Sequence, residues 1–138
     1  MLEPSNELKE LMLDWYASFS CGNSATVEQI LSHDPSVLII GSDPAEWVTG
    51  YDAIAAIYRA QNNAVGDVKI EAGDLLAYAH GDIGWVADRP KIKLPDGTTL
   101  PMRSTLVFHR ENGAWKLVQQ HNSVGVLNEE IVGKTLPL

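Results

Sequence analysis

RSTLVFHRENGAWKLVQQHNS, residues 103–123, reads as two β-strands joined at Asn112-Gly113. That dipeptide is a strong hairpin signal, because the tight turn it favours needs positive φ at both central residues. Its flanks are rich in Val, Leu, Phe and Trp, which suit a pleated, half-buried surface. The far end of the hairpin gathers Arg103, Gln120, His121 and Asn122, polar groups where a strand normally packs a core. Whether they form a site depends on what the rest of the chain places around them.

Working outward, His80-Gly81 and Asp96-Gly97 mark two more turns. Residues 67–126 therefore read as a meander of four long strands. Upstream, PSNELKELMLDWYASF has Leu8, Leu11, Met12, Trp15 and Phe19 on one helical face, with Pro4 and Ser5 as start signals and Gly22 as a left-handed stop. SATVEQILS is a short second helix that His33-Asp34-Pro35 breaks. SVLII, residues 36–40, and Glu46-Trp47-Val48 are short strands. TGYDAIAAIYRAQNN is a third helix with Tyr51, Ile54, Ala55 and Tyr58 on its buried stripe, closed by Gly66. The tail from Leu127 reads as irregular. Strands following helices within one short chain predict an α+β fold: a cone-shaped, curved antiparallel sheet closed by three N-terminal helices.

The bulk properties fit. At 138 residues the chain is read as one domain, residues 1–138, large enough to fold without staples. A net charge of -8 speaks against nucleic-acid and anionic-membrane partners, whose phosphates would repel it. The single cysteine, Cys21, rules out an internal disulfide and fits a cytoplasmic setting. No apolar run approaches the roughly 20 residues of a membrane helix.

Two-residue turns act as rulers for register. With such turns at Asn112-Gly113 and Asp96-Gly97, Val118, Val107, Val86 and Leu75 align on one face, and Leu117, Phe108, Trp85 and Leu76 on the other. Both faces are then apolar in part. The helices can cover only one, so the row Leu76, Trp85, Phe108 and Leu117 is expected to meet a second copy of the chain, giving a homodimer through the convex sheet face. The valine face continues into Asp88, Thr105, Gln120, Arg103 and Asn122. That is the expected lining of a pocket with one polar end. The same alternation turns His121 outward.

WVTGYDAIAAIYRA and GDIGWVADRPKIKLPDGTTLPMRSTLVFHRENGAWKLVQQHNS resemble elements of the nuclear-transport-factor-2-like superfamily, in its SnoaL-like branch, over about Leu8 to Val126. FHRENGAWKLVQQHNS also resembles the end of the calcium/calmodulin-dependent protein kinase association domain. The resemblance implies a cone with an internal pocket, a fold that hosts both enzymes and non-catalytic modules. Mapped from ketosteroid isomerase, it puts the base position at Ile39, the oxyanion tyrosine at Trp15 and the partner acid at Thr105. None of the three keeps the required residue, which argues against that isomerisation. Tyr58 matches a family tyrosine.

Two functional readings follow. One is a small-molecule-binding or assembly domain, with Trp15, Tyr58, Val86, Thr105, Val107, Gln120 and Asn122 lining its pocket. The alternative is a SnoaL-like enzyme of isomerase, cyclase or lyase type. It would use Asp88 as base with Arg103 as clamp on a small apolar substrate bearing a carbonyl or acidic group. His121 joins the acid-base candidates only if the last strand is bulged. His33, His80, His109 and Cys21 show no metal-ligand spacing, so no metal and no cofactor are expected.

Overall fold

A computed structural model describes residues 1–137. In chain order the elements are β1 (Glu3–Pro4), α1 (Asn6–Ser20), α2 (Ala25–Ile30), β2 (Leu38–Ile40), β3 (Trp47–Thr49), α3 (Tyr51–Val65), β4 (Lys69–Glu71), β5 (Leu76–His80), β6 (Ile83–Asp88), β7 (Lys91–Lys93), β8 (Thr99–Pro101), β9 (Arg103–Glu111), β10 (Ala114–Ser123) and α4 (Asn128–Val132). The three helices expected in the first half are present. The tail, expected to be irregular, contains the short α4.

Helix α1 starts where the Ser5 hydroxyl accepts the Leu8 N–H, relieving one of the donors a helix N-terminus leaves unpaired. It buries Leu8, Met12 and Trp15, spaced to share one face. It stops at Gly22, whose φ of 74° would strain a side chain, and the Asn23 N–H returns to the Ser18 carbonyl. Helix α3 lies between Gly50 and Gly66, both at positive φ, and buries Ile54, Ala55 and Tyr58.

The main sheet runs β1-β5-β6-β9-β10-β2-β3, and a smaller sheet runs β4-β7-β8. Every pairing is antiparallel except β10 with β2. The four long strands of the sequence reading are thus three broken strands and one unbroken one. β4 and β5 separate around Gly73-Asp74, β6 and β7 at Arg89-Pro90, and β8 and β9 at Met102. Proline cannot donate to a ladder, and here the Pro90 carbonyl instead accepts the Met102 N–H. The bend folds the small sheet away from the main one.

Two local features reset the register. Asn112-Gly113 is the expected two-residue turn, with φ of 51° and 81°. Asp96-Gly97 is not. Lys93 pairs with Thr99, the Leu94 N–H reaches the Thr98 carbonyl, and Pro95-Asp96-Gly97 form a three-residue loop. Proline presets φ for the first turn residue and Gly97, at φ 88°, takes the left-handed one. The loop moves β9 by one residue against β6, so Val86 faces Leu106 and Asp88 faces Ser104. Every side chain of β9 changes face relative to the sequence reading. The second feature is a bulge at Val118: Leu117 opposes Phe108, but Gln119 opposes Val107.

The corrections follow from those two features. Phe108 and Leu117, expected on the outer face, are fully buried in the core with Leu8, Met12, Val86 and Leu106. Arg103, Thr105 and Val107, expected to point inward, lie on the outer face. Gln120 and Asn122 still end on the inner face, because the bulge returns the second half of β10 to the inside. The outer face of the main sheet carries Leu76, Tyr78, Ile83, Trp85 and Val107. Leu76 and Ile83 are each about half exposed, at 50% and 49%, and Tyr78 stacks on Trp85 with ring centroids 5.1 Å apart.

Candidate functional site

A cavity of about 280 Å³ lies between α1, α3, the small sheet and the inner end of β9 and β10. Alternation builds its walls. In β4, β7 and β8, Ile70, Ile92 and Leu100 are direct cross-strand partners and all line the cavity. Lys69, Lys91 and Lys93, their chain neighbours, point away from it. Met102, Pro90, Phe19 and Val124 extend the apolar wall, and Trp15, Tyr16 and Tyr58 contribute rings. Trp15 meets Tyr58 edge-on at 5.9 Å. A pocket of about 50 Å³ adjoins it, sharing Gly41, Glu46, Tyr58, Gln61 and Asn122, with Ile39 on its wall.

One side of the cavity is polar and neutral. The Tyr58 hydroxyl donates to Gln120 Oε1. Gln120 Nε2 donates to Asn122 Oδ1 at 3.2 Å, and the Ser104 hydroxyl donates to the same oxygen at 2.7 Å. Burial, and then the negative charge of Glu46, push the Tyr58 hydroxyl well above its ordinary 10.0. It therefore stays protonated. This network fixes the amide orientations; Gln120 Oε1 keeps a second lone pair, and the amide N–H groups not used within the network can donate.

Asp88 stands behind that wall. It is only 4% exposed. Its Oδ2 accepts the Tyr16 hydroxyl at 2.9 Å, and its Oδ1 accepts the N–H groups of Gly73 at 3.0 Å and Arg89 at 2.8 Å. Burial and the adjacent Asp88 charge raise the Tyr16 hydroxyl far above its usual range. Tyr16 lines the cavity, so Asp88 meets the cavity through a tyrosine. Its partners hold a folded charge in place.

Arg103, expected beside Asp88, lies exposed on the other side of the sheet, with its Nε 3.3 Å from the Ser123 hydroxyl. The sequence-predicted pair is therefore split. His121 is exposed, in a shallow outer groove whose lining also includes Arg89, Arg103, Ser123 and, at its edge with the buried strand face, Asp88 and Ser104. Of the other sequence-predicted lining residues, Trp15, Tyr58, Gln120 and Asn122 line the cavity. Val86 is packed in the core. Thr105 and Val107 face outward, so Thr105 cannot stand in for an oxyanion partner.

Sequence reasoning missed Ser104, Tyr16 and Glu46. Ser104 was lost to the misplaced turn. Tyr16 is adjacent to Trp15 on a helix whose apolar stripe is wide enough to bury both, a signal that was available. Glu46 was read only as part of a strand. Its Oε1 accepts the Asp43 N–H at 3.1 Å and its Oε2 the Gln61 amide at 2.9 Å. Both bonds turn it across the glycine at 41, where a β-carbon would lie 2.5 Å from its carboxylate.

The chain is thus an α+β cone with an internal cavity between helices and a bent sheet. The pattern of the SnoaL-like domain matches residues 8–127, and the chain belongs to that family. Among solved structures it is similar to an NTF2-like protein of unknown function from Pseudomonas putida KT2440, with a TM-score of 0.81 and 18% identity, covering 97% of this chain and 96% of that one. It is also similar to a candidate dehydratase of the NTF2-like family from Streptomyces avermitilis (TM-score 0.75, 14% identity, 87% and 94% covered). A third is a candidate calcium/calmodulin-dependent protein kinase type II association domain from Thiobacillus denitrificans (0.71, 21%, 89% and 97%). At these identities the likeness is one of fold. Among curated proteins, none matches the chain. No helix among the described residues is long and apolar enough to cross a membrane.

Proposed function

We propose that this chain is a small-molecule-binding domain that works as a cytoplasmic homodimer. The cavity holds one small, mostly apolar ligand, and a polar group of that ligand meets the amides of Gln120 and Asn122. The observation that carries the reading is the cavity of about 280 Å³, with an apolar row on one side and a fixed neutral network on the other. Ligand pockets are typically built this way, with few polar groups in fixed orientation. The exposed apolar row Leu76, Tyr78, Ile83 and Trp85 supports a second copy on the outer face. The Asp88 carboxylate is held by Tyr16, Gly73 and Arg89 rather than by Arg103, which favours binding over catalysis by that pair.

The test is a thermal-shift screen of small apolar alcohols, ketones and amines against the natural protein and Asn122→Leu. A ligand present at about 100 times its Kd stabilises by about 2.7 kcal/mol, a shift of several degrees. The reading requires at least one compound that raises Tm in the natural protein and loses that effect in the variant. A compound whose shift survives Asn122→Leu unchanged binds elsewhere and counts against the cavity.

A further inference from the structure

The charges around the cavity are of one sign. Among the described residues, Glu46 is the one acidic side chain lining it, no Lys, Arg or His does, and its carboxylate is in no ion pair. Its partners are a backbone N–H and the Gln61 amide, both neutral. A second carboxylate, Asp88, stands behind Tyr16 and is likewise held by neutral donors alone. The nearby cations are engaged elsewhere or face away: Arg89 with Asp74, Lys69 and Lys93 with Glu71, and Lys91 and Arg103 toward a separate groove. Four aromatic rings, Trp15, Tyr16, Phe19 and Tyr58, line the same space. Aromatic faces attract cations, and quaternary and protonated amines are recognised by such clusters.

We infer that the cavity selects an organic cation: a small ammonium compound with an apolar body, its charge balanced by Glu46 and its methylene or methyl groups against the rings. This rests on the cavity being a ligand site, as proposed above. It sharpens that reading, because an apolar pocket alone favours neutral compounds, and the clamp expected from Arg103 would have favoured acids. The physical reason is that the carboxylate beside the cavity attracts a cation and repels an anion, and no cation of the protein stands there to cancel its field. A ligand carboxylate there would face Glu46 with nothing to offset the repulsion. The two tyrosine hydroxyls stay protonated, so they add no competing charge of their own.

The experiment uses three probes of matched shape: benzylamine as its ammonium ion, benzyl alcohol and benzoate. Each is titrated at pH 7 into the full chain and into Glu46→Gln, with binding read by calorimetry and by tryptophan fluorescence. The expected result is benzylamine at least tenfold tighter than benzyl alcohol, with benzoate weakest. In Glu46→Gln, which keeps the size of the side chain and one acceptor for the Asp43 N–H, the preference for the amine falls below about threefold. Equal affinity for amine and alcohol in the natural protein overturns the charge selection and leaves the pocket standing. So does a preference unchanged by Glu46→Gln. Failure of all three to bind at millimolar concentration overturns both this inference and the ligand-site reading. If Glu46→Gln does not fold, the ranking of the three probes on the natural protein still decides the matter.

Discussion

The Tyr16–Asp88 bond makes a prediction that separates structure from catalysis. Asp88 is a buried carboxylate with three donors and no cation in contact. Tyr16→Phe removes one donor and leaves the ring, so little packing is lost. A hydrogen bond to a charged group contributes about 1.5–3 kcal/mol, and at 2.9 Å in a buried setting the loss should be about 2 kcal/mol. Asp88→Asn keeps the volume and one acceptor for the two backbone N–H groups, but it converts a charged partner into a neutral one. It should also cost about 2 kcal/mol. Because both changes act on the same bond, the double variant should lose less than their sum, with a coupling of about 1–2 kcal/mol. Urea unfolding measures this, provided the m-values of the four proteins agree. A free catalytic base behaves differently. Replacing it would leave stability unchanged or raised, since strained and charged active-site groups cost stability. A coupling indistinguishable from zero, with Asp88→Asn at least as stable as the natural protein, would refute the structural role assigned to the pair.

Three other predictions follow from particular contacts. Both buried tyrosines hold their protons above the ordinary 10.0. Below that pH folded and unfolded chains are equally protonated there, but above it only the unfolded chain releases the protons. Stability should therefore fall above pH 10 by up to about 1.4 kcal/mol per pH unit for each tyrosine. Tyr16→Phe and Tyr58→Phe should each remove one part of that slope, as read by denaturation at a series of pH values. At Gly73 a β-carbon would sit 2.2 Å from the Arg89 carbonyl oxygen and 3.3 Å from Asp88 Oδ1. Gly73→Ala should thus lower stability by about 2–4 kcal/mol through overpacking and a displaced Asp88 bond; an unchanged unfolding midpoint would count against that packing. On the outer face, Trp85→Glu should convert a dimer to a monomer in sedimentation velocity while leaving far-UV circular dichroism unchanged, since Trp85 lies outside the core. A natural protein that is monomeric at micromolar concentration would remove the second-copy proposal.

Much of the fold was legible because its signals are local. The helix faces, the stops at Gly22 and Gly66, and the Asn112-Gly113 turn depend on neighbours within a few residues. The register is different. PDGT admits either a two-residue turn or a three-residue loop, and the choice turns on how β7 and β8 meet the bend at Pro90, which is a tertiary matter. One residue of error there exchanged Ser104 with Arg103 and sent Phe108 outward on paper. The bulge at Val118 carries no marker such as glycine, so Gln120 and Asn122 came out on the inner face by two errors that cancel. Asp88 was singled out in the sequence as a base beside Arg103, and the structure gives it other partners. Its partners, the Tyr16 hydroxyl and the Gly73 N–H, are distant or backbone groups that no spacing reveals. Glu46 was the most consequential omission. A carboxylate near a short surface strand gives no sign of a cavity until α3 and the loop at Gly41 are seen to place it at the cavity wall.

The central claim is that the space between Trp15, Tyr58, Gln120 and Asn122 is a ligand site. Two-dimensional NMR of the side-chain amide and indole N–H groups, with benzylamine added stepwise, tests it most directly. The account predicts saturable shifts at Trp15, Gln61, Gln120 and Asn122, with Gln119 on the outer face unmoved. Shifts confined to Gln119 and to the Trp85 indole, with the cavity groups unchanged, would contradict it.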